Sequence, residues 1–124
     1  MKLRLPVILV LFFVLVLHAF ADYQKGLDAA MAGDFATALK EWKPLAEQGY
    51  ADAQFTLGEM YTFGEGVLED YVSAYMWFNL ASSLGNEGAR AYKASLAEIM
   101  TSTRIEKAQD LSIQCYKSNY KDCY

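Results

Sequence analysis

Histidine is almost missing from this sequence: the single one, His18, sits in an apolar N-terminal stretch. The rest of the chain therefore cannot assemble a Ser-His-Asp or Cys-His arrangement, nor a histidine-bearing metal site. Cysteine is nearly as scarce, with Cys115 and Cys123 close to the C-terminal end. Positive charge is in the minority, 11 Lys and Arg against 15 Asp and Glu. Nucleic acid and anionic membrane surfaces are accordingly poor partners. Strand-type alternation is close to absent, and after the N-terminal stretch no segment approaches the roughly 20 apolar residues of a spanning helix.

What is present begins with Lys2 and Arg4, an apolar run from Leu5 to Leu17, and Ala19-Phe20-Ala21 directly before Asp22. A basic start, a short apolar run and a small-x-small triplet predict a secretory signal peptide over 1–21, cut after Ala21. An uncleaved anchor is the alternative, since His18 and Phe20 make an imperfect cleavage region. Cleavage leaves 22–124, a length that fits one domain, and no stable membrane span. Loss of Lys2 and Arg4 leaves nine basic residues against fifteen acidic ones, a net charge of −6. The expected location is the periplasm or the medium, an oxidising place where the two cysteines pair by default. Residues eight apart in a helix lie roughly 12 Å from each other, beyond the roughly 7 Å limit on a bridged pair. A Cys115–Cys123 bridge thus needs the last helix to end first, and Ser118-Asn119 is the expected turn.

Between Tyr23 and Cys115 the apolar residues follow helical spacing. A short helix over Tyr23–Met31 ends at Gly33, and a second runs from Asp34 through Phe35, Ala38, Leu39, Trp42, Leu45 and Ala46 to Gly49, with a kink expected at Pro44. A third carries Tyr50, Ala53, Leu57, Met60 and Tyr61 on one face and stops at Gly64 and Gly66. Asp70 caps a fourth with Tyr71, Ala74, Trp77, Phe78 and Ala81, which ends at Gly85. A fifth, from Asn86, points Ala89, Tyr92, Leu96 and Ile99 inward, and a sixth, from near Thr101, uses Ile105, Ala108, Leu111 and Cys115. Asp34, Ala38, Gly49 and Ala53 recur as Asp70, Ala74, Gly85 and Ala89, each 36 residues later, and Phe35/Tyr71 and Trp42/Phe78 keep the offset aromatic. Paired helices at such a period predict an all-α solenoid, a short right-handed α-α superhelix of about three helix pairs.

The run Ala53-x-x-x-Leu57-Gly58-x-x-Tyr61-x-x-Gly64-x-Gly66-Val67-x-x-Asp70-x-x-x-Ala74-x-x-Trp77-Phe78-x-x-Ala81 resembles the Sel-one-like repeats, relatives of the tetratricopeptide solenoids, in a short exported member of bacterial type. Ser82 departs from the pattern, which more often has alanine there, and the cysteine-containing tail is outside it. The resemblance implies a non-catalytic scaffold for a protein or peptide partner, without cofactor or metal, and leaves the binding face free to vary. In related solenoids the first helix of each pair lines the concave surface, which makes Tyr50, Gln54, Glu59, Phe63 and Tyr92 the binding candidates.

Competing chemistry is thin. Ser118 to Lys121 has the form Ser-x-x-Lys, and some disulfide-rich relatives have been discussed as β-lactamase-like, so a cell-envelope hydrolase or its regulator is the alternative reading; no Lys-Thr-Gly or Ser-Asp-Asn accompanies it. Gly64-Glu65-Gly66 lacks the lysine of a phosphate loop. Glu65, Glu69 and Asp70 lack calcium-loop spacing, and Asp70 reads better as a cap. Tyr116, Tyr120 and Tyr124 would form a partner stripe on a straight helix, which competes with a disulfide in the tail, and they read better as a cover for the exposed end of the last repeat. Mass spectrometry of the exported protein is expected to show Asp22 at the N-terminus and a mass two hydrogens below the reduced chain; an intact Met1 with free thiols would refute both expectations.

Overall fold

A computed structural model describes residues 4–124, so Lys2 of the basic start lies outside the described residues. Six helices follow one another, α1 (Arg4–Met31), α2 (Phe35–Glu47), α3 (Ala51–Phe63), α4 (Tyr71–Ser83), α5 (Glu87–Ile99) and α6 (Ser102–Lys117), with no strand among the described residues. They form a short helical-repeat solenoid. The apolar run and the helix expected at Tyr23–Met31 are one continuous helix, because nothing between them breaks it and Pro6 falls in the first turn, where a missing amide is harmless. Side chains from Val7 to Leu17, and Phe20, stand exposed. By length and composition this helix is apolar enough to cross a membrane, a property signal sequences share. Packing starts only at Ala19 and Tyr23, beside the expected cut.

The 36-residue period is visible at the level of single hydrogen bonds. Asp34 and Asp70 each cap a helix: Asp34 Oδ1 accepts from Thr37 N–H at 3.1 Å and Asp70 Oδ1 from Val72 N–H at 3.0 Å. The other oxygen of each accepts from a hydroxyl, Thr37 Oγ1 at 2.6 Å and Ser73 Oγ at 2.7 Å. The helix ends match as well. Tyr50 N–H donates to Leu45 O and Asn86 N–H to Ala81 O, both at 3.0 Å, in turns whose left-handed residue is Gly49 (φ 82°) or Gly85 (φ 95°). Such a turn satisfies carbonyls that the helix end would orphan, and its positive φ suits glycine. Pro44 leaves α2 unbroken.

Packing within the first two pairs depends on a ring laid over a glycine. A Cβ at Gly26 of α1 would meet the Trp42 indole at 2.2 Å, and one at Gly58 of α3 would meet the Phe78 ring at 2.5 Å. The indole Nε1 also donates to Tyr23 O at 3.1 Å. Between the axes lie Ala38, Ala46, Ala53, Ala74, Ala81 and Ala89, all fully buried. Trp77, Phe78, Leu57, Met60 and Met76 are closed off from solvent, each contributing about 2 to 3 kcal/mol of transfer free energy. Tyr61 is half-buried rather than in the core.

The third pair departs from the first two. Both α5 and α6 pack on α4, and they meet each other little. Their link, Met100 and Thr101, is extended and has no left-handed residue to fold one helix back along the other. The same extension corrects one inward position: Ile99 is exposed, and Met100, swung in by its backbone, is buried in its place.

The tail turns where α6 ends, at Asn119 (φ 56°) and Tyr120 (φ 62°), and joins Cys115 to Cys123 with their Cα atoms 4.5 Å apart. No straight tyrosine stripe survives this turn. Tyr120 reaches Gly49, and Tyr124 lies 5.9 Å from Trp77 beneath the Lys43 ammonium, 4.0 Å from its ring centre. The strap thus ties α6 across α4 to α2. Gly58→Ala is expected to lower the stability of the protein by about 2 kcal/mol in urea unfolding, overpacking against Phe78 outweighing the roughly 1 kcal/mol of helix propensity gained. Unchanged or increased stability would contradict the ring-on-glycine contact.

Candidate functional site

An open groove of about 330 Å³ lies where α1, the start of α2 and α3 meet, lined by Tyr23, Leu27, Phe35, Phe55, Thr56, Glu59, Phe63 and Glu65 among others. Helical spacing builds it. Phe55, Glu59 and Phe63 are four residues apart and share a face of α3, and Tyr23 and Leu27 do the same on α1. Phe63 is exposed, Glu59 and Phe55 are half-buried. Tyr23 OH and Thr56 Oγ1 are hydrogen-bonded across the two helices at 3.3 Å. Tyr92 of α5 extends the aromatic wall: it stacks on Phe78 at 5.2 Å and meets Phe55 edge-on at 5.8 Å.

The groove is acidic. Burial raises the Glu59 carboxyl above its ordinary range, the neighbouring Glu65 charge adds to this, and a hydrogen bond with Tyr92 offsets part of it. Tyr23 is likewise raised, first by burial and then by the charges of Asp52 and Glu59, against the opposing bond to Thr56. An ionised Glu59 is therefore held on this face at some cost in stability.

Of the five residues expected to bind, the structure brings Glu59 and Phe63 into the groove, and places Tyr92 beside them. Tyr50 is half-buried at the N-cap of α3, its ring 5.9 Å from Tyr23. Gln54 is a correction: it is fully buried, its Nε2 donating to Ala46 O at 3.1 Å, so it holds α3 to α2 instead of facing solvent. A position three residues before Leu57 points toward α2, which helical spacing alone does not reveal. Tyr23, Leu27, Phe55, Thr56 and Glu65 were not anticipated. The four-residue spacings carried a signal for Phe55 and Tyr23; the approach of α1 to α3 had none.

The repeat residues fall into core and turn. Ala53, Leu57, Gly58, Ala74, Trp77 and Ala81 are buried, Tyr61 and Asp70 half-buried, and Gly64 and Gly66 lie in the exposed turn between α3 and α4. Both carboxylate oxygens of Asp70 are used in capping. Ser118 is occupied in the tail turn: its hydroxyl donates to Cys115 O at 2.8 Å and accepts from the Lys121 and Asp122 amides at 3.1 and 2.8 Å. That hydroxyl caps a helix, and its proton faces a carbonyl rather than a base.

The Sel1 repeat family model matches residues 51–86, the α3–α4 pair with its connecting turn. No curated protein matches the chain. The match supports a Sel1-like repeat family; repeats of this kind are generally protein–protein interaction scaffolds and typically non-catalytic.

Because the ionised form of Glu59 is disfavoured in the folded protein, Glu59→Gln is expected to raise Tm at pH 7. The sign follows from a folded-state pKa above the unfolded one: the carboxylate costs stability above that pKa, and the cost vanishes as Glu59 is protonated. The gain should disappear as the pH falls through the raised Glu59 range, and a Tm lowered at pH 7 would contradict the assignment.

Proposed function

We propose that this protein is an exported scaffold without catalytic chemistry of its own, which holds a protein or peptide partner in the groove between α1 and α3. The observation that carries this reading is the groove itself. Exposed and half-exposed aromatic rings, among them Tyr23, Phe55 and Phe63, are gathered around carboxylates on a rigid helical frame. A repeat core spends its aromatics in packing, as Trp77 and Phe78 do here. Rings left open beside half-buried polar groups are the composition of an interface centre.

Export is supported by two features. The apolar N-terminal half of α1 makes no contribution to the core, and the helix begins to pack at Ala19 and Tyr23. Cleavage after Ala21 would keep Tyr23, Gly26 and Leu27, the residues that hold α2 and line the groove. The Cys115–Cys123 bridge suits an oxidising compartment.

The test is affinity capture from the native cell-envelope extract with the purified protein as bait. One reproducible partner is expected, retained about tenfold less well by Phe63→Ala, since removing an interface aromatic costs more than 1 kcal/mol. No reproducible partner, or capture indifferent to Phe63→Ala, would overturn this reading.

A further inference from the structure

The groove has an unbalanced charge. Its lining contains Glu59 and Glu65 and no lysine or arginine. Asp52 acts on Tyr23 from the same face. Among the described residues the ion pairs are Lys25–Asp22 and Arg90–Glu87, so neither Glu59 nor Glu65 has a cation of its own. Glu59 is also half-buried, and the repulsion from Glu65 makes its charge still less favourable. A bound cation would relieve both costs. An incoming carboxylate would add to them, and a wholly apolar chain would desolvate Glu59 further with no compensation.

The apolar part of the lining narrows the cation. Tyr23, Phe55 and Phe63 bring aromatic rings to the lining, and Leu27 and Phe35 stand beside them. A small hydrated ion has no use for such surface. A long side chain with a methylene stem and a charged head does: the stem lies along the rings while the head reaches the carboxylates, with a cation–π contribution on the way.

Resting on the reading of the groove as a partner site, we propose that it receives a lysine or arginine side chain from an extended, otherwise apolar segment of a partner protein. The basic head sits between Glu59 and Glu65, and the neighbouring apolar residues of that segment cover Phe55 and Phe63. Selectivity then comes from charge on one side chain and affinity from the aromatic contact around it.

Selection of phage-displayed random peptides on the immobilised protein, produced from the full chain, tests this directly. Selected peptides should be enriched in a lysine or arginine flanked by apolar residues, and their binding should weaken with added salt. The Glu59→Gln, Glu65→Gln double variant, whose fold is checked by circular dichroism, should lose that enrichment and bind the selected peptides about tenfold less tightly. Phe63→Ala should weaken all of them. Peptides that depend on Phe63 but carry no basic residue would overturn the inference and leave the groove as a partner site. Peptides indifferent to Phe63→Ala, or no selected peptides at all, would count against the groove itself and the inference with it.

Discussion

Two rings pressed onto two glycines set the architecture: Trp42 on Gly26 and Phe78 on Gly58, at distances where a methyl group would collide with the ring. In each pair the second helix supplies the ring and the first helix the notch. The contact fixes how closely the helices approach, and the fully buried alanines between the axes preserve that spacing. It also decides where the folded unit begins. Gly26 and Tyr23 belong to the far end of α1, and Trp42 touches both, so the last turns of that helix are part of the core. The apolar residues before them are not. The first half of α1 thus stands apart from the core that its second half helps to build.

The groove is a by-product of the same arrangement. Trp42, which lies on Gly26, also lines the groove, and Phe78, which lies on Gly58, packs against Phe55 at its edge, so the same two rings hold Tyr23 and Leu27 near Phe55, Glu59 and Phe63. Elsewhere the tail crosses from α6 to α4 and α2. Its bridge and its turn at Asn119 and Tyr120 lay Tyr124 over Trp77, where burial and the nearby Glu47 raise the phenol above its ordinary range.

Much of this was legible in the sequence. The caps Asp34, Asp70, Asn86 and Thr101 and the left-handed stops Gly49 and Gly85 are local chemistry, and local chemistry can be read directly. The offset of 36 residues joined the two helical pairs before any contact was known. What could not be read depends on neighbours distant in the chain. Gln54 looks like a surface glutamine until Ala46 O takes its amide, and Ile99 looks inward until the extended link at Met100 changes places with it. Part of the groove belongs to α1, whose residues Tyr23 and Leu27 read from the sequence only as members of a short helix. Only the folded chain shows them facing Phe55 and Glu59.

The most direct test of the central contact is hydrogen exchange on the protein. If the Trp42 ring clamps α1 through Gly26, amides of residues 26–31 will be protected to the same degree as those of α2 and will lose protection together in denaturant. If that segment exchanges at the rate of an unstructured chain while α2 to α4 stay protected, the ring-on-glycine contact does not organise the fold.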